Sequence, residues 1–204
     1  MFAKKLKVLN TNFKKPISCL ATYSPTISKI LDGKIDIILV GDSLGSTLYG
    51  MTNTQGVTLS MMMNHGYSVI KHIKKSITVI DMPFKTYENK YQALKNAKKL
   101  LNFSNANLIK IEIDKKKLSI LKHLTTKDIN TIAHIGVTPQ NYKDFKKIKV
   151  IGRTNSERKK LIELAKKSEE YGAKAILLEC VTAQTSKLIS SSVSIPTIGI
   201  GASK

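Results

Sequence analysis

No tryptophan occurs in these 204 residues, cysteine appears twice, and acidic side chains are scarce: 14 Asp and Glu stand against 34 Lys and Arg. Cys19 and Cys180 both lie inside apolar runs, where a buried reduced thiol is the usual case, so no disulfide framework is expected. No apolar run approaches the roughly 20 residues of a membrane span. The N-terminal MFAKKLKVLNTNFKK has no apolar stretch long enough for a signal peptide. The expectation is a cytoplasmic chain with no membrane partner. Arginine is almost missing too, since Arg153 and Arg158 are the only two. Base readout and phosphate forks favour Arg, and single-strand binding interleaves aromatics with the charge. Neither pattern is present. The net charge of +20 is carried by lysines spread over almost every expected helix and loop. With Ile and Asn also abundant, it reads as the compositional drift of AT-rich coding sequence, and no specific nucleic-acid partner is expected.

What the chain does have is a set of short apolar runs that end in chemically capable residues. IDIILVGDS leads to Asp42, SITVIDMPF to Asp81, NLIKIEID to Lys110 and Glu112, INTIAHIG to His134, and KAILLECV to Glu179. Each is β-branched, nearly continuous in hydrophobicity and too short for a helix packed on one face, which is the pattern of a parallel strand buried on both sides. ISCLATYS precedes the series and IPTIGIGAS closes it, making seven expected strands. Helical stretches are expected near residues 60–75, 87–101, 116–125, 156–171 and 183–190, with Ser156 as an N-cap and Gly172 as the matching stop. This alternation describes a single α/β domain over residues 1–204 in which the carboxyl ends of all strands share one face. The connection at 136–155 is too long and polar for an ordinary βα loop and is expected to act as a lid.

Taken singly, each candidate also has a structural explanation. Asp42 beside Gly41 could cap a helix or hold a turn, and Asp81, two residues before Pro83, could do the same. Lys110 and Glu112 alternate with Ile109 and Ile111, so they share one side of a strand and could form only a buried ion pair. His134 could be a satisfied core histidine. Glu179, closing ILLE, must be neutralised, paired or used. Their joint occurrence at equivalent strand ends favours a site. Carboxylates without a Cys or His cluster form a hard oxygen donor set suited to Mg²⁺ rather than zinc. Such an ion can chelate a 2-oxo acid and polarise its carbonyl, while a further carboxylate removes the proton beside it. That is the outline of an aldol-type enzyme.

The ordered motifs LVGDSLG, VIDMPF, IKIE, AHIGVTPQ, LLECV and IPTIGIGA, between about Ile17 and Ala202, resemble the ketopantoate hydroxymethyltransferase family. The resemblance implies a (β/α)8 TIM-type barrel in pantothenate biosynthesis. It would use Mg²⁺ and transfer a hydroxymethyl group from 5,10-methylenetetrahydrofolate to the 2-oxo acid 3-methyl-2-oxobutanoate. It also implies Asp42 and Asp81 as metal ligands, with Glu112 close to the metal shell and reaching it through water. Ser43 and Lys110 would bind the substrate carboxylate, His134 would line the site, and Glu179 would take the proton from C3. A ring-like homo-oligomer is part of the same implication. The chain departs from the family pattern at Ser24, where an acidic residue is expected, at Ile113 and Asp114, and in the lysine-rich loop 142–150. Arg153, in an IGR rather than a QGR stretch, is a further contact candidate. Lys204 falls just after the seventh strand, where the family continues, so the expected barrel is apparently truncated there. Two other readings remain at this point. One is a Mg²⁺-dependent 2-oxo-acid lyase of the phosphoenolpyruvate mutase and isocitrate lyase type, for which no cysteine-bearing catalytic loop is found, and the other is an inactive truncated barrel.

Overall fold

The computed structural model describes residues 16–202. Residues 1–15, read above for a signal sequence, and Lys204 lie outside them. The expected strands form one parallel sheet in chain order, β1 Cys19–Ala21, β2 Ile37–Val40, β3 Ile77–Asp81, β4 Leu108–Glu112, β5 Thr131–Gly136, β6 Ala175–Glu179 and β7 Thr197–Ile200. The 7-stranded sheet curves into a nearly closed barrel with helices between successive strands.

Strands β2, β3 and β4 are buried at every position, as expected for strands packed on both faces. Two apolar layers follow from the period-2 alternation of side chains. Ile37, Leu39, Ile77, Val79, Leu108, Ile132, Ala175, Leu177 and Ile198 pack together inside the barrel. The alternate residues, among them Ile38, Val40, Ile80, Ile109, Ile111, Ala133, Ile135 and Ile176, pack outward against the helices. Burying one such aliphatic side chain stabilises by roughly 1.5–3 kcal/mol. The inward positions are apolar until the carboxyl end of the barrel, where they become polar.

The helices are α1 Pro25–Leu31, α2 Leu44–Tyr49, α3 Leu59–Ile70, α4 Lys90–Ser104, α5 Leu118–Thr125, α6 Asn155–Glu170 and α7 Ala183–Ser190. The first two are not among the helices expected from sequence: α1 starts at a proline, and α2 is hidden in the Gly-rich segment after Asp42. Helix α3 begins where Thr58 accepts from the Met61 N–H and ends at Ile70, short of residue 75. Helix α4 begins after its N-cap Asn89, so Tyr87 lies before the helix. The N-cap of α6 is Thr154 rather than Ser156. Its hydroxyl accepts from the Glu157 N–H while the Glu157 carboxylate accepts from the Thr154 N–H, a reciprocal capping box. Gly172, at φ 87°, is the stop expected there. The connection from β5 to α6 forms two 3-10 turns, Pro139–Asn141 and Phe145–Lys147, and returns through a bridge between Ile151 and Val181 beside the end of β6.

Candidate active site

Parallel pairing in register places the polar strand ends side by side. Asp81 of β3 is opposite Lys110 of β4, Glu112 is opposite His134 of β5, and Gly136 is opposite Glu179 of β6. Asp42 and Ser43 follow directly after β2. All seven residues singled out from the sequence, Asp42, Ser43, Asp81, Lys110, Glu112, His134 and Glu179, line one cleft of about 420 Å³ at the carboxyl end of the barrel. The walls are completed by Leu39, Leu177 and Ile200 below and by Pro139, Phe145 and Ile148 from the 136–155 connection above. That connection does cover the site. Arg153 does not line the cleft; its backbone N–H donates to Glu157 in the cap of α6.

A chain of polar contacts crosses the cleft. The Oδ2 atom of Asp81 accepts from the Asp42 N–H at 3.0 Å and lies 3.1 Å from Lys110 Nζ. Lys110 Nζ is 3.3 Å from His134 Nδ1, and His134 Nε2 is 3.3 Å from Glu179 Oε2, off the line of a hydrogen bond. An ammonium can only donate, so Nδ1 accepts and the imidazole proton sits on Nε2, facing Glu179. Burial and then the Lys110 charge hold the His134 pKa below its ordinary value, which keeps the ring neutral. Burial alone would lower the Lys110 pKa. The carboxylates of Asp81, Asp42 and Glu112 more than offset it and hold the ammonium above its ordinary range. At the rim, Ser43 Oγ and Tyr23 Oη are 2.6 Å apart.

The carboxylates are under-neutralised. Asp42, Asp81 and Glu112 are 6%, 3% and 3% exposed, and among the described residues Lys110 is the one ammonium lining the cleft with them. Burial, then the Asp81 charge, raise the Asp42 pKa to about 7, and burial raises that of Glu112 to about 8 against the pull of Lys110. One oxygen of each is held by the protein: Asp42 Oδ2 by Gln140, Asp81 Oδ2 by Lys110 and the Asp42 N–H, and Glu112 Oε1 by the Gln140 N–H. The other oxygens of Asp81 and Glu112 are buried without a partner. Orphaned acceptors in an all-oxygen set fit a hard divalent cation, which would neutralise the excess charge. Among the described residues no three His, Cys, Asp or Glu side chains converge as ligands of one ion.

Two residues of the site carry no sequence signal of their role. Gln140, 3% exposed, contacts Asp42 and Glu112, and Tyr87, 2% exposed, donates to Gln140 Oε1 at 2.5 Å. Gln140 closes the AHIGVTPQ motif, yet nothing local announces that a loop amide folds back over the strand ends. Tyr87 falls at the start of an expected helix, which hides its part in the site.

The family model described as ketopantoate hydroxymethyltransferase matches residues 3–204. A 3-methyl-2-oxobutanoate hydroxymethyltransferase of Pelagibacter ubique is 42% identical over 203 residues, covering 100% of this chain and 78% of that protein. One of Clostridium novyi is 41% identical, covering 94% and 70%. Among solved structures, a phosphonopyruvate hydrolase aligns with a TM-score of 0.74 at 13% identity, covering 98% of this chain and 71% of its own. A 2,3-dimethylmalate lyase, a member of the PEP mutase/isocitrate lyase superfamily, aligns with a TM-score of 0.70 at 12% identity, covering 97% and 71%. At that identity the likeness concerns the barrel alone.

Proposed function

We propose that this chain, which belongs to the ketopantoate hydroxymethyltransferase family, transfers a hydroxymethyl group from 5,10-methylenetetrahydrofolate to 3-methyl-2-oxobutanoate, giving 2-dehydropantoate with water consumed and tetrahydrofolate released. The observation that carries this reading is the convergence of seven residues from five strands and their loops in one cleft, in an arrangement suited to enolising a 2-oxo acid. Asp42 and Asp81 would hold Mg²⁺, with Glu112 behind them. The ion, when bound, polarises the 2-oxo group and so acidifies the C–H beside it.

The protein's own groups supply the rest. An ammonium has three donors, of which Asp81 and His134 engage two, leaving the third of Lys110 for the substrate carboxylate, with the Ser43 hydroxyl at the rim as its second partner. Glu179 reaches the cleft from the far side and takes the proton from C3. Neutral His134 lines the site beside it, with Nε2 3.3 Å from the Glu179 carboxylate and off the line of a hydrogen bond. Water adds to the methylene carbon of the folate as both of its carbon–nitrogen bonds break, releasing tetrahydrofolate and formaldehyde; C3 then bonds to the formaldehyde carbon, and the oxygen of the new hydroxymethyl group takes up a proton. Phe145 and Ile148 close the cleft over apolar Leu39, Leu177 and Ile200, a surrounding suited to the branched alkyl group and to excluding water.

No helix among the described residues is long and apolar enough to cross a membrane. A cytoplasmic, homo-oligomeric enzyme is part of the same proposal, supported by the family and by exposed Ile27, Ile30, Tyr67 and Phe103 on α1, α3 and α4. Incubation of the purified chain with Mg²⁺, 3-methyl-2-oxobutanoate and 5,10-methylenetetrahydrofolate tests the reaction. Formation of 2-dehydropantoate is expected, together with folate-independent exchange of the C3 proton in deuterated water. Exchange and turnover both absent with this acid but present with another 2-oxo acid would assign a different substrate.

A further inference from the structure

Gln140 sits at the only place where the loop over the cleft grips the carboxylates beneath it among the described contacts. Its Nε2 donates to Asp42 Oδ2 at 2.7 Å and to the Met82 carbonyl at 3.0 Å, and its backbone N–H donates to Glu112 Oε1 at 3.1 Å. The amide has one permitted orientation. The Met82 carbonyl can only accept, so it must face the NH₂ group. Tyr87, whose pKa burial and then the Glu112 charge raise well above the ordinary phenol value, stays protonated and donates to Oε1. The Tyr87 oxygen in turn accepts from the Glu112 N–H at 3.3 Å. Gln140 thereby holds two of the three buried carboxylates, each by one oxygen, and the second oxygen of Glu112 stays without a partner.

The same residue is tied to the loops above. Its carbonyl accepts from Gln55 Nε2 at 2.9 Å, and three residues later the Lys143 carbonyl accepts from Asn53 Nδ2 at 3.0 Å. The segment after Asp42 and the segment after β5 are therefore laced together, with Gln140 as the node between that lacing and the strand ends. Just beyond it, Phe145 and Ile148 close the cleft.

We propose that Gln140 is a positioning residue coupling occupation of the carboxylate site by a divalent cation to closure of the 138–150 loop. It orients Asp42 and Glu112 for the ion and transmits their ordering to the segment carrying Phe145 and Ile148. The inference rests on the cation reading above. By reciprocity, a loop held down by Gln140 tightens cation binding, and bound cation holds the loop down.

Exposed Lys143, Lys146, Lys147 and Lys149 make the loop a substrate for trypsin and give a readout independent of turnover. Calorimetric titration of the full chain with MgCl₂ is combined with rates of tryptic cleavage in the loop, with and without MgCl₂. In the unaltered protein, Mg²⁺ should bind and slow cleavage by at least about fivefold. Gln140→Ala should weaken Mg²⁺ by about 10- to 100-fold, the usual cost of losing a group that orients metal ligands. Cleavage should then be fast and indifferent to Mg²⁺ even at concentrations that saturate the variant. Tyr87→Phe, which removes the donor to Gln140 Oε1 but leaves Gln140 in place, should move both readouts in the same direction by less. Circular dichroism melting establishes that each variant is folded, and if Gln140→Ala is not, Gln140→Met, which keeps the side-chain length, decides. No Mg²⁺ binding by the unaltered chain would overturn the cation reading itself. Binding by the unaltered chain, with unchanged affinity or an unchanged Mg²⁺ effect on cleavage in the Gln140 variant, would overturn this proposal alone.

Discussion

Asp81 Oδ2 and Lys110 Nζ lie 3.1 Å apart across neighbouring parallel strands, both almost wholly buried, and register makes them direct partners. Removing one member of such a pair leaves an uncompensated buried charge, at a typical cost of about 3–5 kcal/mol. Lys110→Met should therefore lower the urea midpoint strongly at pH 8 and less at pH 6, where Asp42 and Glu112 take up protons. Equal loss at both pH values would show that the carboxylates do not depend on the ammonium.

The raised pKa values of Asp42, about 7, and Glu112, about 8, make the metal-free protein pH-sensitive. In the unfolded chain these groups titrate near 4. Between that value and pH 8 the folded state binds more protons than the unfolded state, so stability falls as pH rises. His134, with its lowered pKa, acts in the opposite direction only below about pH 6.5. From pH 6.5 to 8, metal-free stability should drop by a few kcal/mol, because each tenfold difference in proton affinity between the folded and unfolded chain is worth about 1.4 kcal/mol. Mg²⁺ should flatten that slope, and chemical denaturation at both pH values, with and without the ion, measures it.

Asp81→Ala removes a proposed ligand and the partner of Lys110 together. Since a Lewis-acid ion contributes several kcal/mol, turnover should fall roughly 10³-fold or more and no longer respond to Mg²⁺. A variant retaining full Mg²⁺-dependent activity would remove Asp81 from the metal set.

Glu179→Gln keeps shape and loses basicity. Calorimetry should show Mg²⁺ and 3-methyl-2-oxobutanoate binding nearly unchanged. Exchange of the C3 proton, followed by proton NMR in deuterated water, should slow by about 10²- to 10⁴-fold. Undiminished exchange would transfer the role of base to another carboxylate, with Glu112 next in line.

Gly136 has φ 103°, and a Cβ there would lie 2.4 Å from the Glu179 carbonyl oxygen, a backbone atom that cannot step aside. Gly136→Ala should therefore cost at least about 1–3 kcal/mol of backbone strain and displace the end of β6. Exchange of the C3 proton should fall with it while Mg²⁺ affinity changes little. Normal exchange at normal thermal stability would show that the strand end adapts.

The barrel is legible in the sequence because a strand covered on both faces must be apolar along its length, and these runs are, from Ile37–Val40 to Ala175–Glu179. The site is legible for a related reason: a buried strand hides its polar side chains unless its end opens on a common face, and parallel strands share that face. Asp42, Asp81, Lys110, Glu112, His134 and Glu179 all follow from that reasoning. Helix ends are not written in the sequence in the same way, because Thr154 and Ser156 are both capable caps and only backbone geometry selects Thr154. Tertiary structure alone decides what the polar residues do to each other. The Lys110 contact that sets the His134 tautomer depends on strand register, and Gln140 reaches Asp42 across 98 positions of chain. No local periodicity encodes such a contact, since it forms only when the loop after β5 folds back over carboxylates that burial has left short of partners.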